Sequence, residues 1–191
     1  MADGLHERRN FPRAQTSNMK KHAIVYWLIP AAPQRELFRE LIRILAKQFD
    51  APRFEPHLTI IAAPENRKSP GKILRATKAT PIRLKVREIS FSTKFTKSLF
   101  ARFTNGKAFE KLAADLAHAT GSRAKPPAQP HVSLLYKKLP ATSKKQLASA
   151  IKLPFREVVF DSIKAVRCAW PTKTRAEVES WRVLAAKNLN G

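Results

Sequence analysis

The sequence predicts an α+β fold, in which antiparallel strands and amphipathic helices belong to one folded unit. Residues 33–49 repeat apolar side chains at helical spacing, whereas residues 82–91 alternate apolar and basic side chains, as a half-buried strand does. A third observation is that two similar segments, P-H-L-T-I-I and P-H-V-S-L-L, each begin an apolar run of strand length.

The first two elements follow from apolar runs that end or begin at proline. An apolar and partly β-branched run, ended by Pro30, predicts a buried strand over residues 23–29. Pro33 suits the first turn of a helix, so we expect a helix over residues 33–49. The apolar face of this helix is expected to comprise Leu37, Leu41, Ile44 and Leu45.

The later elements follow from the same two periods and from turn residues. Gly121 is expected to end a helix in the left-handed conformation, and Thr142 to cap the start of the next helix. The order is then β-α-β-α-β-β-α-β-α-β-β. The predicted strands are 57–63, 82–91, 96–104, 131–136, 155–170 and 178–188, and the further helices are 71–78, 107–120 and 142–151.

The first 21 residues differ in composition from the rest of the chain. Residues 1–21 carry charges, Asn, Gln and Pro without an apolar period, which predicts a disordered basic arm. Residues 22–191 are long enough for one substantial domain and too short for two domains of usual size. We therefore expect the arm to precede a single domain.

Charge is the unusual feature of the composition. The 37 Lys and Arg residues against 14 Asp and Glu give a formal net charge of +23. Such an excess predicts a positive field and affinity for phosphate-rich ligands such as RNA. A basic surface that is merely solvated explains the same number, so charge alone does not decide between these interpretations.

The cysteine content and hydropathy limit the compartment. Cys168 is the only cysteine, which excludes an intramolecular disulfide, and its apolar setting predicts a core residue rather than a nucleophile. No stretch approaches the ~20 apolar residues of a membrane span, and no hydrophobic signal core is present. The expectation is a cytoplasmic protein with no membrane partner, and we assume a monomer.

The two similar segments each place a histidine two residues before a hydroxyl residue. From the composition we expect roughly 0.01 occurrences of P-H-x-[ST]-apolar-apolar, so a pair is hard to attribute to chance. Residues i and i+2 of a strand project from the same face, so His57 lies beside Thr59, and His131 beside Ser133. A lone histidine at a strand start is usually structural, but the duplication favours a function.

Two imidazoles and two hydroxyls suit the hydrolysis of a cyclic phosphodiester. Water must lose a proton as it attacks phosphorus, and the departing sugar oxygen must gain one, so two proton carriers are needed. Imidazole serves in either role near neutral pH, with His57 and His131 as the carriers. The hydroxyls of Thr59 and Ser133 are expected to donate hydrogen bonds to the phosphoryl oxygens.

A histidine-based metal site is the weaker alternative. Neither segment has a carboxylate or cysteine at the spacing of metal ligands, and the remaining histidines lie in different contexts. We therefore predict no metal and no cofactor, and a reaction that is independent of metal.

The segments H-L-T and H-V-S resemble the H-x-[ST] pair of the 2H phosphoesterase superfamily. The stretches W-L-I-P, F-E-P-H-L-T-I-I, P-H-V-S-L-L-Y and E-S-W-R-V-L-A-A-K-N-L-N-G are similar to its cyclic phosphodiesterase branch, known from plants and yeast. The resemblance covers residues 22–191 and implies one bilobal domain, in which two pseudo-symmetric lobes of antiparallel sheet, backed by helices, enclose a central cleft.

The resemblance also implies an activity and a set of site residues. The activity is metal-independent hydrolysis of nucleoside 2',3'-cyclic phosphates or of ADP-ribose 1'',2''-cyclic phosphate. His57 and His131 match the catalytic histidines, and Thr59 and Ser133 match the phosphate-binding hydroxyls. Trp27 and Tyr136 fall at aromatic positions of the branch, where they either flank the nucleoside or pack in the core.

The charge departs from the pattern of an enzyme that acts on a small nucleotide. A basic cleft suits RNA ends that carry a 2',3'-cyclic phosphate, the substrates of the related bacterial enzymes once described as 2'-5' RNA ligases. Lys97 and Arg102, between the motifs, are candidates for attracting phosphate. A non-catalytic, basic RNA-binding protein that retains the cleft is a further alternative.

Overall fold

The computed structural model describes residues 22–65 and 69–189. The predicted basic arm, residues 1–21, lies outside them. The strands are β1 His22–Pro30, β2 Leu58–Pro64, β3 Ile82–Phe91, β4 Leu99–Phe103, β5 His131–Leu135, β6 Glu157–Ala169 and β7 Arg182–Asn188. The helices are α1 Gln34–Gln48, α2 Pro70–Ala76, α3 Lys107–Thr120, α4 Ala141–Ala150 and α5 Arg175–Glu179, and a 3-10 turn spans Phe95–Lys97.

The strands pair in the order β1-β2-β5-β4-β3-β6-β7, and all of these pairs are antiparallel. Strand β6 also pairs with β1, so the six strands from β1 to β6 in this order form a closed ring of paired strands. One half contains β1, β2, β6 and β7, and the other contains β3, β4 and β5. The halves are joined where β2 meets β5 and where the start of β6 meets β3. The predicted α+β fold of antiparallel sheet and helices is confirmed.

Strand β1 is buried on both faces, which explains its continuous apolar run. Its residues Ile24, Tyr26 and Leu28 belong to the main core, which also takes in the buried faces of α1 and α3. The alternate residues Val25, Trp27 and Ile29 form a second cluster with Val166 and Cys168 of β6. The second cluster lies on the face that carries the candidate site.

Most predicted elements occur within two residues of their expected ends, but four details were wrong. The strand expected at 96–104 begins only at Leu99, because Phe95–Lys97 form the 3-10 turn. The buried face of α1 is formed by Phe38, Ile42, Leu45 and Ala46, whereas Ile44 is exposed. Helix α4 begins after Pro140 without a side-chain cap, so Thr142 is not its cap. The last predicted strand, 178–188, begins only at Arg182, because helix α5 takes up its first residues. A capping box between Thr174 and Glu177 stabilises the start of α5.

None of the helices in the described ranges is long and apolar enough to cross a membrane.

Candidate active site

One pair of facing residues brings the two histidine segments together. Leu58 of β2 lies opposite Val132 of β5 in an antiparallel pair. Facing residues in such a pair have a constant sum of numbers, so this register, extended by one residue in each direction, sets His57 opposite Ser133 and Thr59 opposite His131. Leu58 and Val132 point into the core, and their neighbours along each strand project from the opposite face. All four predicted groups therefore share one face of the sheet.

The spacing of these groups suits a single phosphate. His57 and His131 are diagonal neighbours across the pair, a relation that places backbone positions about 7–8 Å apart. Both histidines and both hydroxyl residues line the same cavity, whose volume is about 530 Å³. Each hydroxyl residue faces the histidine of the other segment, so the site has approximate two-fold symmetry.

Both histidines are held by the same kind of hydrogen bond. Nδ1 of His57 lies 2.6 Å from the backbone oxygen of Glu55, and Nδ1 of His131 lies 2.9 Å from that of Gln129. A carbonyl oxygen only accepts, so Nδ1 is the protonated nitrogen of each ring. Each ring therefore keeps Nε2 for the exchange of a proton with a ligand.

A lysine contacts the side chain of each residue, Glu55 and Gln129, whose carbonyl accepts the hydrogen bond from a histidine. Lys164 Nζ lies 2.6 and 2.7 Å from the carboxylate oxygens of Glu55. Lys97 Nζ lies 3.3 Å from Oε1 of Gln129. The first contact is an ion pair, whereas the second joins a cation to a neutral amide. Lys97 Nζ also lies 4.4 Å over the Phe100 ring, but no carboxylate of the described residues neutralises it beside His131.

Burial lowers the pKa of both histidines. The pKa of His57 falls from 6.5 to about 4, mainly because the ring is buried, while the Glu55 carbonyl acts in the opposite direction. The pKa of His131 also falls to about 4 through burial, opposed by the Gln129 carbonyl and aided by the charges of Lys97 and Lys94. Both rings are neutral at pH 7 without a ligand.

The two hydroxyls differ in their present partners. Ser133 Oγ donates to the backbone oxygen of Thr96 at 2.8 Å, and Tyr136 hydrogen-bonds to Ser133. The Ser133 proton must therefore leave the Thr96 carbonyl before it reaches a phosphate. Thr59 makes no hydrogen bond through its hydroxyl within the described part of the chain, so its proton is available.

The cavity wall is positive. Lys94 and Lys97 line it, and no Asp or Glu of the described residues does. Arg102, the other basic residue that the sequence singles out, does not line it and instead pairs with Glu88 at 2.8 Å. Of the two candidates for attracting phosphate, only Lys97 is placed to do so.

The sequence of residues 22–189 matches the family described as cyclic phosphodiesterase-like protein. The chain belongs to this family. It is therefore a phosphodiesterase, a hydrolase of phosphodiester bonds, and the resemblance to the 2H phosphoesterases is confirmed. It is similar to a cyclic phosphodiesterase of Arabidopsis thaliana, 26% identical over 183 residues, which cover 90% of this chain and 98% of the relative.

Solved structures show the same fold as this cyclic phosphodiesterase-like chain. Escherichia coli LigT, solved in complex with 3'-AMP, has a TM-score of 0.52 at 12% identity, covering 90% of this chain and 99% of LigT. The protein TT0787 of Thermus thermophilus has a TM-score of 0.56 at 19% identity, covering 88% of this chain and 98% of TT0787. At such identities the likeness establishes the fold.

Trp27 and Tyr136 lie in the cavity wall of this family member, but their rings are already stacked. Trp27 stacks on the His57 ring with centroids 3.7 Å apart and 13° between the planes. Tyr136 stacks on Phe54 at 3.8 Å and 9°. Both residues are only 3% exposed. The structure thus gives each ring a packing contact, and their binding of a nucleoside stays a prediction.

Several cavity residues were missed by the sequence reasoning, among them Lys94, Thr96, Trp170 and Trp181. Trp170 and Trp181 come from the connection of β6 to β7, and Thr96 lies in the turn before β4. Both tryptophans can be seen in the sequence, but no local sequence pattern distinguishes a ring that faces a cavity from one that packs in the core. Cys168 also lines the cavity, and burial raises the pKa of its thiol to about 12, in line with a packing residue.

Within the described residues, no three His, Cys, Asp or Glu side chains lie close enough together to hold a metal ion.

Proposed function

We propose that the chain hydrolyses a nucleoside cyclic phosphodiester by acid and base catalysis at His57 and His131, with no metal. The candidate substrates are a nucleoside 2',3'-cyclic phosphate and ADP-ribose 1'',2''-cyclic phosphate. The observation that carries the proposal is the Leu58–Val132 pair, because it sets an imidazole opposite a hydroxyl twice on one face of the sheet. The 3'-AMP bound by LigT supports a nucleotide as the ligand.

The reaction forms one bond and breaks one bond at phosphorus. The base takes a proton from water as its oxygen bonds to phosphorus, and the acid gives a proton to the ribose oxygen that leaves. The product is a phosphate monoester, and solvent returns both imidazoles to their starting states. Thr59, Ser133 and Lys97 stabilise the negative charge that grows on the phosphoryl oxygens.

The surroundings of the rings support one assignment of the two roles. Lys97 and Lys94 oppose a positive charge on His131, which favours this ring as the base that stays neutral until it takes the water proton. His57 lies against the face of Trp27, and an aromatic face stabilises a cation. The anionic phosphate raises the pKa of a neighbouring imidazole, so His57 gains its proton with the substrate and acts as the acid.

RNA ending in a 2',3'-cyclic phosphate is the second candidate substrate. It is favoured by the lysines of the cavity wall and by the absence of acidic residues there among the described residues, since an RNA end brings further phosphates. The enzyme class favours catalysis over the alternative of a non-catalytic RNA-binding protein.

Substitution of each histidine tests the proposal. In EDTA, we expect His57→Ala and His131→Ala each to lower kcat by about 10²- to 10⁴-fold, because each removes one proton carrier. Adenosine 2',3'-cyclic phosphate, ADP-ribose 1'',2''-cyclic phosphate and an RNA with a cyclic end serve as substrates. Phosphorus NMR identifies each product.

His118→Ala is the matched control, because His118 lies exposed near the end of α3 and is absent from the cavity wall. It should keep full activity. Turnover by the histidine variants at the wild-type rate, or loss of wild-type activity in EDTA, would falsify the proposal.

A further inference from the structure

Trp170 is a large apolar side chain that remains exposed to solvent. Its exposed fraction is 47%, and it lines the same cavity as His57 and His131. It makes no ring contact with the other aromatic residues of the described chain. Single exposed apolar side chains are common on protein surfaces, but an indole in the wall of a cavity offers a flat apolar face that a ligand can cover.

The other aromatic rings of the cavity wall already contact neighbouring rings. Trp27 and Tyr136 are nearly buried and stacked on His57 and Phe54. Trp181 makes edge contacts with Trp27, His57 and Tyr136. Trp170 is therefore the ring of this wall, within the described residues, that is best placed to receive a flat ligand.

The backbone around Trp170 is held in place. Trp170 directly follows Ala169, which ends β6 and pairs with His22 of β1. The Thr172 hydroxyl donates to the Ala169 backbone oxygen at 2.7 Å and fixes the turn. Pro171 and Thr172 also line the cavity. A platform fixed in this way loses little conformational entropy when a ligand stacks on it.

We propose that Trp170 is the stacking platform for the nucleobase of the substrate. The inference rests on the proposed function and deepens it, since it names the residue that binds the base. The four groups of the two strands hold the cyclic phosphate, and the indole covers one face of the base. Every nucleobase has a π face, so the platform accepts purines and pyrimidines alike.

Two substrates that differ only in the nucleobase measure how much the base contributes to binding. Adenosine 2',3'-cyclic phosphate contains the base, and methyl riboside 2,3-cyclic phosphate has the same reacting group without it. We expect Trp170→Ala to raise KM for the adenosine compound about 5- to 150-fold, the range for loss of one stacked base. The KM for the methyl riboside compound should change less than twofold. Trp170→Phe should recover most of the affinity for the adenosine compound.

Leu184→Ala is the control for removing an exposed apolar side chain, since Leu184 is 46% exposed and lies on β7 outside this cavity. It should leave both KM values unchanged. An equal loss on both substrates in Trp170→Ala, or no loss on the adenosine compound, overturns the platform.

Binding of adenosine 2'-monophosphate, followed by calorimetry, separates this inference from the proposed reaction. If the wild-type enzyme turns over neither cyclic phosphate, the proposed function fails, yet Trp170→Ala must still weaken binding of the monophosphate at least fivefold. Equal binding to wild type and variant then overturns the platform by itself.

Discussion

At the scale of single residues, His57 and His131 are neutral for the same reason but differ in what surrounds them. Burial lowers the pKa of each ring to about 4. Cations stand near one ring, whereas an indole covers the other. In the proposed mechanism the free enzyme therefore holds two potential bases, and an anionic substrate turns one of them into an acid.

The lowered pKa values predict how stability depends on pH. Between pH 6.5 and pH 4, histidines of the unfolded chain bind protons that the native rings do not, so stability falls as the pH falls through this window. Urea unfolding at a series of pH values measures the slope. The double variant His57→Gln/His131→Gln should show a shallower slope, because the carboxylates remain and only these two groups are removed. Equal slopes would contradict neutral histidines in the native state.

Some residues of the candidate site could be predicted from the sequence because their signal is local. The two P-H-x-[ST] segments mark His57, Thr59, His131 and Ser133 by spacing alone. Trp170 carries no such mark, since whether an indole faces a cavity depends on the strands packed around it. The same holds for Lys97, which is one of 37 basic residues until the fold places it in the wall.

At the scale of elements, the ends of β3 and α3 were predicted to the residue. Both depend on local chemistry: an alternating pattern bounded by Pro81, and a helical period stopped by Gly121. Helix α5 was missed, although T-R-A-E at residues 174–177 is a capping-box sequence. Its five residues are too few for a helical period to appear.

Gly121 and Gly71 form a matched pair for testing backbone conformation. Gly121 has a φ of +66°, which disfavours any residue with a Cβ, although a Cβ there meets nothing within 4 Å. We expect Gly121→Ala to lower the free energy of unfolding by about 1 kcal/mol. Gly71 is the second residue of α2, where an added Cβ makes ordinary contacts, so Gly71→Ala should raise the free energy of unfolding by at most about 0.5–1 kcal/mol.

Urea unfolding at pH 7 measures both variants. Destabilisation by both substitutions would assign the loss at Gly121 to something other than its left-handed backbone.

At the scale of the whole molecule, the site depends on a junction between two halves. β2 and β5 meet through Leu58 and Val132, and β6 spans both halves by pairing with β3 at its start and with β1 afterwards. Each half supplies one histidine. The distance between the two rings is therefore a property of how the halves join.

Leu58→Ala tests this junction. Leu58 is fully buried, so its truncation should cost about 2–5 kcal/mol of stability through lost burial and the cavity it leaves. Because Leu58 stands between His57 and Thr59, kcat should fall as well at temperatures where the variant is folded. Denaturant unfolding and turnover at about 15 °C, near the usual maximum of stability, measure the two effects. Full activity in a destabilised variant would mean that the junction does not position the site.

The sequence by itself determined most of the elements and predicted the groups of the candidate site, because spacing along a strand, helical period and turn residues act over a few neighbours. Tertiary structure decided which groups meet. The facing of His57 with Ser133 and of Thr59 with His131, the lowered pKa values and the open face of Trp170 arise from pairing and burial between distant segments. Those interactions depend on residues 74 positions apart in the chain, and no local pattern encodes them.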